Sequence, residues 1–338
     1  MLHKFFRYLF NHQVLLSLFL LALGWFLFEI RDIIISLFLS YIIMAALLPL
    51  VEYLQKKKFP KVLAVIIPYF GVVILLFLLI IPLVPFVVTQ IQQLIYGLPK
   101  FINRATDIVG FANQQQIELY VKSELNDLSK NVLSVTGQVF GGFFSVLTTF
   151  IVSFYLLMYH EVFEKFVSRL FAPELRPSVI ATIDRVNDKL GSWLRGELML
   201  MTFIGSLTWI VLTLMHIPYA LPLAVLAGLL EIIPTIGPII SAVPAVIVGL
   251  SISPTLAFAA VIGYILIQAI ENNFLVPIIM QNAVGLNPII VILAIVIGSK
   301  LMGIAGALLA IPFVSFLLVV FQNIEVIRPE NHSSTKHT

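Results

Sequence analysis

The chain has 338 residues, of which 60% are hydrophobic and 11% charged, with a formal net charge of +3 and no cysteine. Soluble domains average about 45–50% apolar and about 25% charged residues, so this composition excludes an ordinary soluble protein and indicates a polytopic membrane protein. The missing cysteines exclude disulfides and thiolate metal sites, and no basic tract suits a nucleic-acid partner.

A spanning helix needs about 20 apolar residues to cross ~30 Å of hydrocarbon. The first such run, near 13–30, follows Lys4 and Arg7 as a signal peptide would. It lacks a small-residue cleavage site and a second span follows at 33–51, so it reads as a retained first helix. Lys56, Lys57, Lys58 and Lys61 come next, whereas the turn between the two spans holds only Arg31 beside Glu29 and Asp32. The positive-inside rule therefore places the N-terminus and the lysine cluster in the cytoplasm. An anionic-lipid site is the weaker reading of the same lysines.

A third run at 62–88 completes an N-terminal three-span scaffold, residues 1–88. Residues 89–138 form an extracytoplasmic insertion, in which Ile117, Val121, Leu125, Leu128 and Val132 make one apolar helical stripe. The fourth span covers 139–160, with Gly137 and Gly141 spaced for close helix packing. Residues 161–198 form a cytoplasmic insertion whose Val179, Ile183, Val186, Leu190 and Trp193 repeat on one face. Each amphipathic helix suits the bilayer surface, a neighbouring subunit, or the ends of the chain's own bundle.

The C-terminal transport bundle runs from 199 to 325, ahead of a disordered tail at 326–338. Its apolar runs lie near 199–216, 220–250, 254–272 and 303–322, with a short piece at 286–299. The expected fold is all-α, an integral membrane protein of about seven to eight transmembrane helices, some of them broken or re-entrant. Between Leu198 and Ile324 the charged residues are Glu231, Glu271 and Lys300. A charge at the bilayer centre costs about 2.5–3.5 kcal/mol, so each should face protein, water or a ligand.

Glu231 opens the stretch "EIIPTIGPIISAVPAVIVGL", where Pro234, Pro238 and Pro244 interrupt helical bonding and Gly237 and Gly249 permit close backbone approach. At 31 residues, 220–250 is too long and too broken for one plain span, and reads as a broken helix or a re-entrant hairpin. A second break follows at "QAIENNFLVPIIMQNAVGLNP", with Glu271, Asn272 and Asn273 together and Pro277, Gly285 and Pro288 behind them. Two broken segments in one half of a chain point to the midplane site of a secondary transporter. The candidate substrate or ion ligands are Glu231, Glu271, Asn272, Asn273, Asn287 and Lys300. The broken backbone at Pro234, Gly237, Pro238, Pro244, Pro277, Gly285 and Pro288 would shape their surroundings.

Other classes fare worse. The six histidines are scattered, so no metal site is expected, and no cofactor beyond a coupling ion, H⁺ or Na⁺. No His-Glu-x-x-His pair, nucleophile elbow or phosphate-cradling loop occurs, which argues against an enzyme or an ATP-driven pump. A non-transporting membrane scaffold is the rival of another class, and it would have no use for buried carboxylates.

The chain resembles the autoinducer-2 exporter family of bacterial permeases nearly end to end. The resemblance rests on Arg195-Gly196, "IIPTIGP" at 232–238, "IENNFLVP" at 270–277, "GLNP" at 285–288 and "GIAGALLAIP" at 303–312. Two positions depart from the family pattern: Asn287 replaces a common His, and Lys300 adds a charge that could serve as counter-ion to a glutamate. The resemblance implies a multi-pass protein of the bacterial inner membrane, homo-oligomeric, that moves a small solute such as autoinducer-2. Its alternative is Na⁺(Li⁺)/H⁺ antiport on the same fold. The implied partners are that small-molecule or ion substrate and the lipid bilayer.

Overall fold

The computed structural model of the chain describes residues 13–75, 77–78, 145–233, 236–280 and 287–327. Lys4, Arg7, the 89–138 insertion, Gly137, Gly141, Pro234, Gly285 and the tail from residue 328 onward lie outside them. Every element among the described residues is helical. Four helices are long and apolar enough to cross a bilayer, or five if one bent pair counts as a span.

The N-terminal elements are α1 (Gln13–Glu29) and α2 (Arg31–Lys56), followed by α3 (Lys61–Leu75) and α4 (Ser145–Met158). α2, α3 and α4 share a core of Met44, Leu47, Val51, Val65, Tyr69 and Leu157. The polar groups inside it are paired: Ser40 donates to the Thr149 carbonyl at 3.0 Å, and Tyr69 meets Ser153. That pairing is required where water cannot reach. The chain then bends by 74° into α5 (His160–Arg169). Lys61 lies 3.1 Å from the exposed Glu161 and, by bonding it, holds that carboxyl below its usual range. A pair this exposed contributes little stability.

The spine of the molecule is α6 (Arg176–Leu214), a single helix of 39 residues. The expected cytoplasmic insertion and the following span are therefore one continuous rod, about 58 Å long at 1.5 Å per residue. The stripe of Val186, Leu190 and Trp193 is buried in the chain's own core, against Ile42 and Ala45 of α2 and Leu309 and Ile311 further on. It covers the bundle and does not lie free on a membrane.

α7 (Ala220–Leu230) and α8 (Ile236–Ile252) come next, then α9 (Pro254–Ile270), a π turn (Glu271–Leu275), α10 (Val276–Met280) and α11 (Pro288–Ile327). Close approaches fix how they run. Gly205 of α6 faces Ala224 and Gly228 of α7, so these two helices are antiparallel. Gly249 of α8 faces Ala257 of α9, and the Tyr264 hydroxyl donates to the Ser241 carbonyl at 3.3 Å, so that pair is antiparallel too. Gly263 of α9 then meets Val211 and Met215, near the C-terminal end of α6. Both open ends of the α7–α8 unit therefore lie at the same end of α6. Of the two readings of 220–250, the re-entrant hairpin is the one adopted, with residues 231–233 toward its tip.

A second hairpin lies within α11. Met302 and Gly303 leave helical geometry, Gly303 with φ +61°, a backbone region that favours glycine. Gly298 and Gly306 then pack backbone to backbone across the tip. The returning arm ends where Arg185 of α6 donates to Asn323. The two hairpins thus enter from opposite ends of α6, and their tips converge on its middle.

Side-specific labelling tests the orientation expected from the charges. Single cysteines at Gln115 and Ser178 should react from opposite faces of the membrane with an impermeant thiol reagent, Gln115 from outside. Labelling of both from outside overturns that orientation.

Candidate functional site

Where the first hairpin tip meets α6, three acidic side chains are buried. Glu197 of α6 is 3% exposed, Glu231 at the end of α7 is 2% exposed, and Glu271 at the start of the π turn is 5% exposed. Each reaches this place for a local reason. α7 ends at Leu230 with Glu231 as its C-cap, and the Gly237 amide then bonds back to the Ile233 carbonyl at 2.9 Å. α9 starts sharply, with Ser253 capping the Leu256 amide at 3.1 Å and Pro254 in its first turn. It ends in the π turn, a rare distortion frequent at functional sites, which turns Glu271 inward while Asn272 and Phe274 point out.

Glu231 and Glu271 are buried together at this place, their carboxyl groups within electrostatic range of one another. Gln268 donates to Oε2 of Glu271 at 2.9 Å and orients it. Oε2 of Glu231 is buried with no hydrogen-bond partner among the described residues. Glu197 lies within electrostatic range of both other acids. Buried ionised carboxylates are costly unless paired, so such a group binds a proton or a cation.

The other residues expected at the site lie elsewhere. Asn272 and Asn273 are exposed on the protomer surface, and the Asn273 amide donates to the Ala269 carbonyl at 2.8 Å. Asn287 is exposed and caps α11, its Oδ1 accepting from the Ile289 amide at 2.9 Å. Lys300 is exposed on the inbound arm of α11. Gly237 is buried and presses on the end of α7, with the half-buried Pro238 beside it. Pro244 sits inside α8, Pro277 in the first turn of α10, and Pro288 at the start of α11.

The sequence reading missed Glu197. It stands one residue ahead of the apolar run and reads as part of a polar insertion. The available signal was its position in the string Arg195-Gly196-Glu197, whose three residues do different work. Gly196 lets α10 approach, since a Cβ there would lie 2.9 Å from the Met280 sulfur. Arg195 donates to the Ala46 carbonyl of α2 at 3.1 Å and reaches that of Ala45 at 3.4 Å. Glu197 turns to the hairpin.

Comparison with known proteins gives a consistent answer. The family model described as "AI-2E family transporter" matches residues 15–325. "Putative transport protein YueF" of Bacillus subtilis is 26% identical, over 92% of this chain and 90% of its own. "AI-2 transport protein TqsA" of Escherichia coli is 25% identical, over 86% of each chain. "Putative permease PerM" of Escherichia coli is 26% identical, over 74% of this chain and 77% of its own. With its helical bundle matched from the first span to the last, the chain belongs to the AI-2E family of membrane transporters.

Proposed function

We propose that the protein is a secondary transporter of the bacterial inner membrane that moves a small solute of the autoinducer-2 type, coupled to protons through Glu231 and Glu271. The observation that carries this reading is the burial of two carboxyls, Glu231 and Glu271, at the tip of a re-entrant hairpin. A scaffold gains nothing from burying two such acids, whereas a coupled transporter needs a group that gains and loses a proton as access changes. The TqsA name supports the solute class. A second reading, exchange of Na⁺ or Li⁺ against H⁺, is favoured by the donor set: the three buried acids offer only oxygen, the ligand type that hard cations prefer.

Proteoliposomes carrying an imposed pH gradient test both readings, with autoinducer-2 and Na⁺ offered in the same preparation. Glu271→Gln keeps size but cannot release a proton, so gradient-driven flux of the true cargo should fall by about tenfold or more. Asn272→Ala, on the outer surface, should transport normally. Equal flux from wild type and Glu271→Gln for every cargo refutes the proton-coupling assignment.

A further inference from the structure

We propose that Glu197 is the third member of the site: a carboxyl fixed on α6 that holds the α7–α8 hairpin tip while the cluster is protonated and repels it once the cluster is ionised. The proposal rests on the proton-coupled reading above and adds to it the element that moves. Glu197 sits on the best-anchored helix of the molecule. Nearby α6 residues Leu190, Trp193 and Leu200 are buried with Ile42 of α2, Met280 of α10 and Leu309 of α11, and Arg195 ties the same turn to α2. Glu231, by contrast, sits at the end of an 11-residue arm.

That hairpin is anchored at its base. Leu223, Ala227 and Ala245 join Leu212, Ile217, Ala260 and Tyr264 in a core separate from the one around Trp193. Toward the tip, contact with α6 is made by glycine. Gly228 lies against the Met201 carbonyl, where a Cβ would approach to 2.6 Å, and against Gly205. This contact is backbone on backbone, with no side chains interlocked between the two helices. Ile232 and Ile233 at the tip remain half-buried and outside both cores. One turn beyond Gly228 comes the buried Glu231, its Oε2 unpartnered among the described residues, just as Glu197 comes one turn before Met201 on α6.

The groups that face Glu231 are Glu197 from α6 and Glu271 from the π turn, with Gln268 of α9 on Glu271. The basic residue closest in sequence on α6, Arg195, is directed at α2 carbonyls, and Lys300 is exposed. With the buried acids protonated, the tip docks. When Glu231 and Glu271 lose their protons to water, two like charges remain beside Glu197, and like charges in a dry site repel strongly. The tip then moves off α6 along the glycine seam, opening the acids to one side of the membrane.

Cysteine accessibility reads this motion without any knowledge of cargo. In the naturally cysteine-free chain, Ile233→Cys is placed at the tip, the protein is held in nanodiscs, and reaction with a water-soluble maleimide is timed. Rates are normalised to Leu170→Cys, an exposed control, to remove the intrinsic pH dependence of the thiol. The expected result is about tenfold faster normalised labelling near pH 9 than near pH 6, a shift of about 1.4 kcal/mol in the tip equilibrium. Adding Glu197→Gln should flatten the response, while Glu197→Asp, which keeps the charge, should retain it. Elution as a single species shows that the variants are folded. Labelling independent of pH in the Ile233→Cys protein overturns the moving tip, and an unchanged response in Glu197→Gln overturns the role of Glu197. A pH-dependent tip in a protein without proton-coupled flux would instead count against the proposed function alone.

Discussion

Replacing Gly237 by alanine is expected to dislodge the tip of the first hairpin and lower stability by roughly 3 kcal/mol, the upper range for overpacking a dense site. The added Cβ would collide with the Leu230 carbonyl oxygen, lie 2.5 Å from the carbonyl carbon, and sit 3.2 Å from the Glu231 nitrogen. These are backbone atoms, so no side-chain rotation relieves the clash. α7 and α8 would have to separate at the very turn that presents Glu231. Gly71→Ala supplies the contrast, because nothing lies within 4 Å of a Cβ there. It should stay within about 0.5 kcal/mol of wild type, as surface changes usually do. Tryptophan fluorescence against temperature, at one scan rate in one detergent, measures both variants. Gly237→Ala should also lose gradient-driven transport. A midpoint equal to wild type, with normal flux, would mean that the hairpin turn is looser than its packing indicates.

Arg195→Ala should cost about 2 kcal/mol, the scale of a hydrogen bond from a charged donor to a buried acceptor, and the cause lies in another helix. Pro49 stands inside α2 and has no N–H. The Ala45 carbonyl four residues earlier therefore lacks its helical donor, and the Arg195 guanidinium reaches that carbonyl and the next. Gly191, one turn before, makes room, since a Cβ there would strike the Ala45 carbonyl. The arginine thus closes a gap opened by a proline 146 positions away. A double-mutant cycle gives the specific test. Pro49→Ala restores the missing donor, so Arg195→Ala should be clearly milder in that background than in wild type, by about 1 kcal/mol. Additive costs would show that Arg195 acts through some other contact. Arg195→Lys should rescue only part of the loss, because an ammonium lacks the planar fork that reaches two carbonyls together.

Sequence by itself determined the class of molecule. Membrane residence follows from composition, because apolar content is a sum over residues that no arrangement alters. The broken character of 220–250 and 268–300 was equally legible, since proline and glycine act on their own backbone wherever they stand. So was the split of the last long helix near Gly303, read as a short piece at 286–299 followed by a span from 303. Glu231 and Glu271 stood out because a charge within an apolar run demands a partner in any fold.

Tertiary structure decided the rest, for one physical reason: what a side chain meets depends on which distant backbone approaches it. Asn272 and Asn273 adjoin Glu271 in sequence, yet the π turn sends Asn272 to the surface and leaves Asn273 there, bonded to the backbone. Asn287 spends its side chain on a helix cap, and Lys300 sits on an outer face. Glu197 enters the site because α6 continues unbroken through residues that read as the end of a polar insertion. The choice between crossing and re-entering was likewise invisible locally, because the same prolines permit both. Small residues settled it, by letting α7 lie against α6 at Gly205 and Gly228 and α8 against α9 at Gly249.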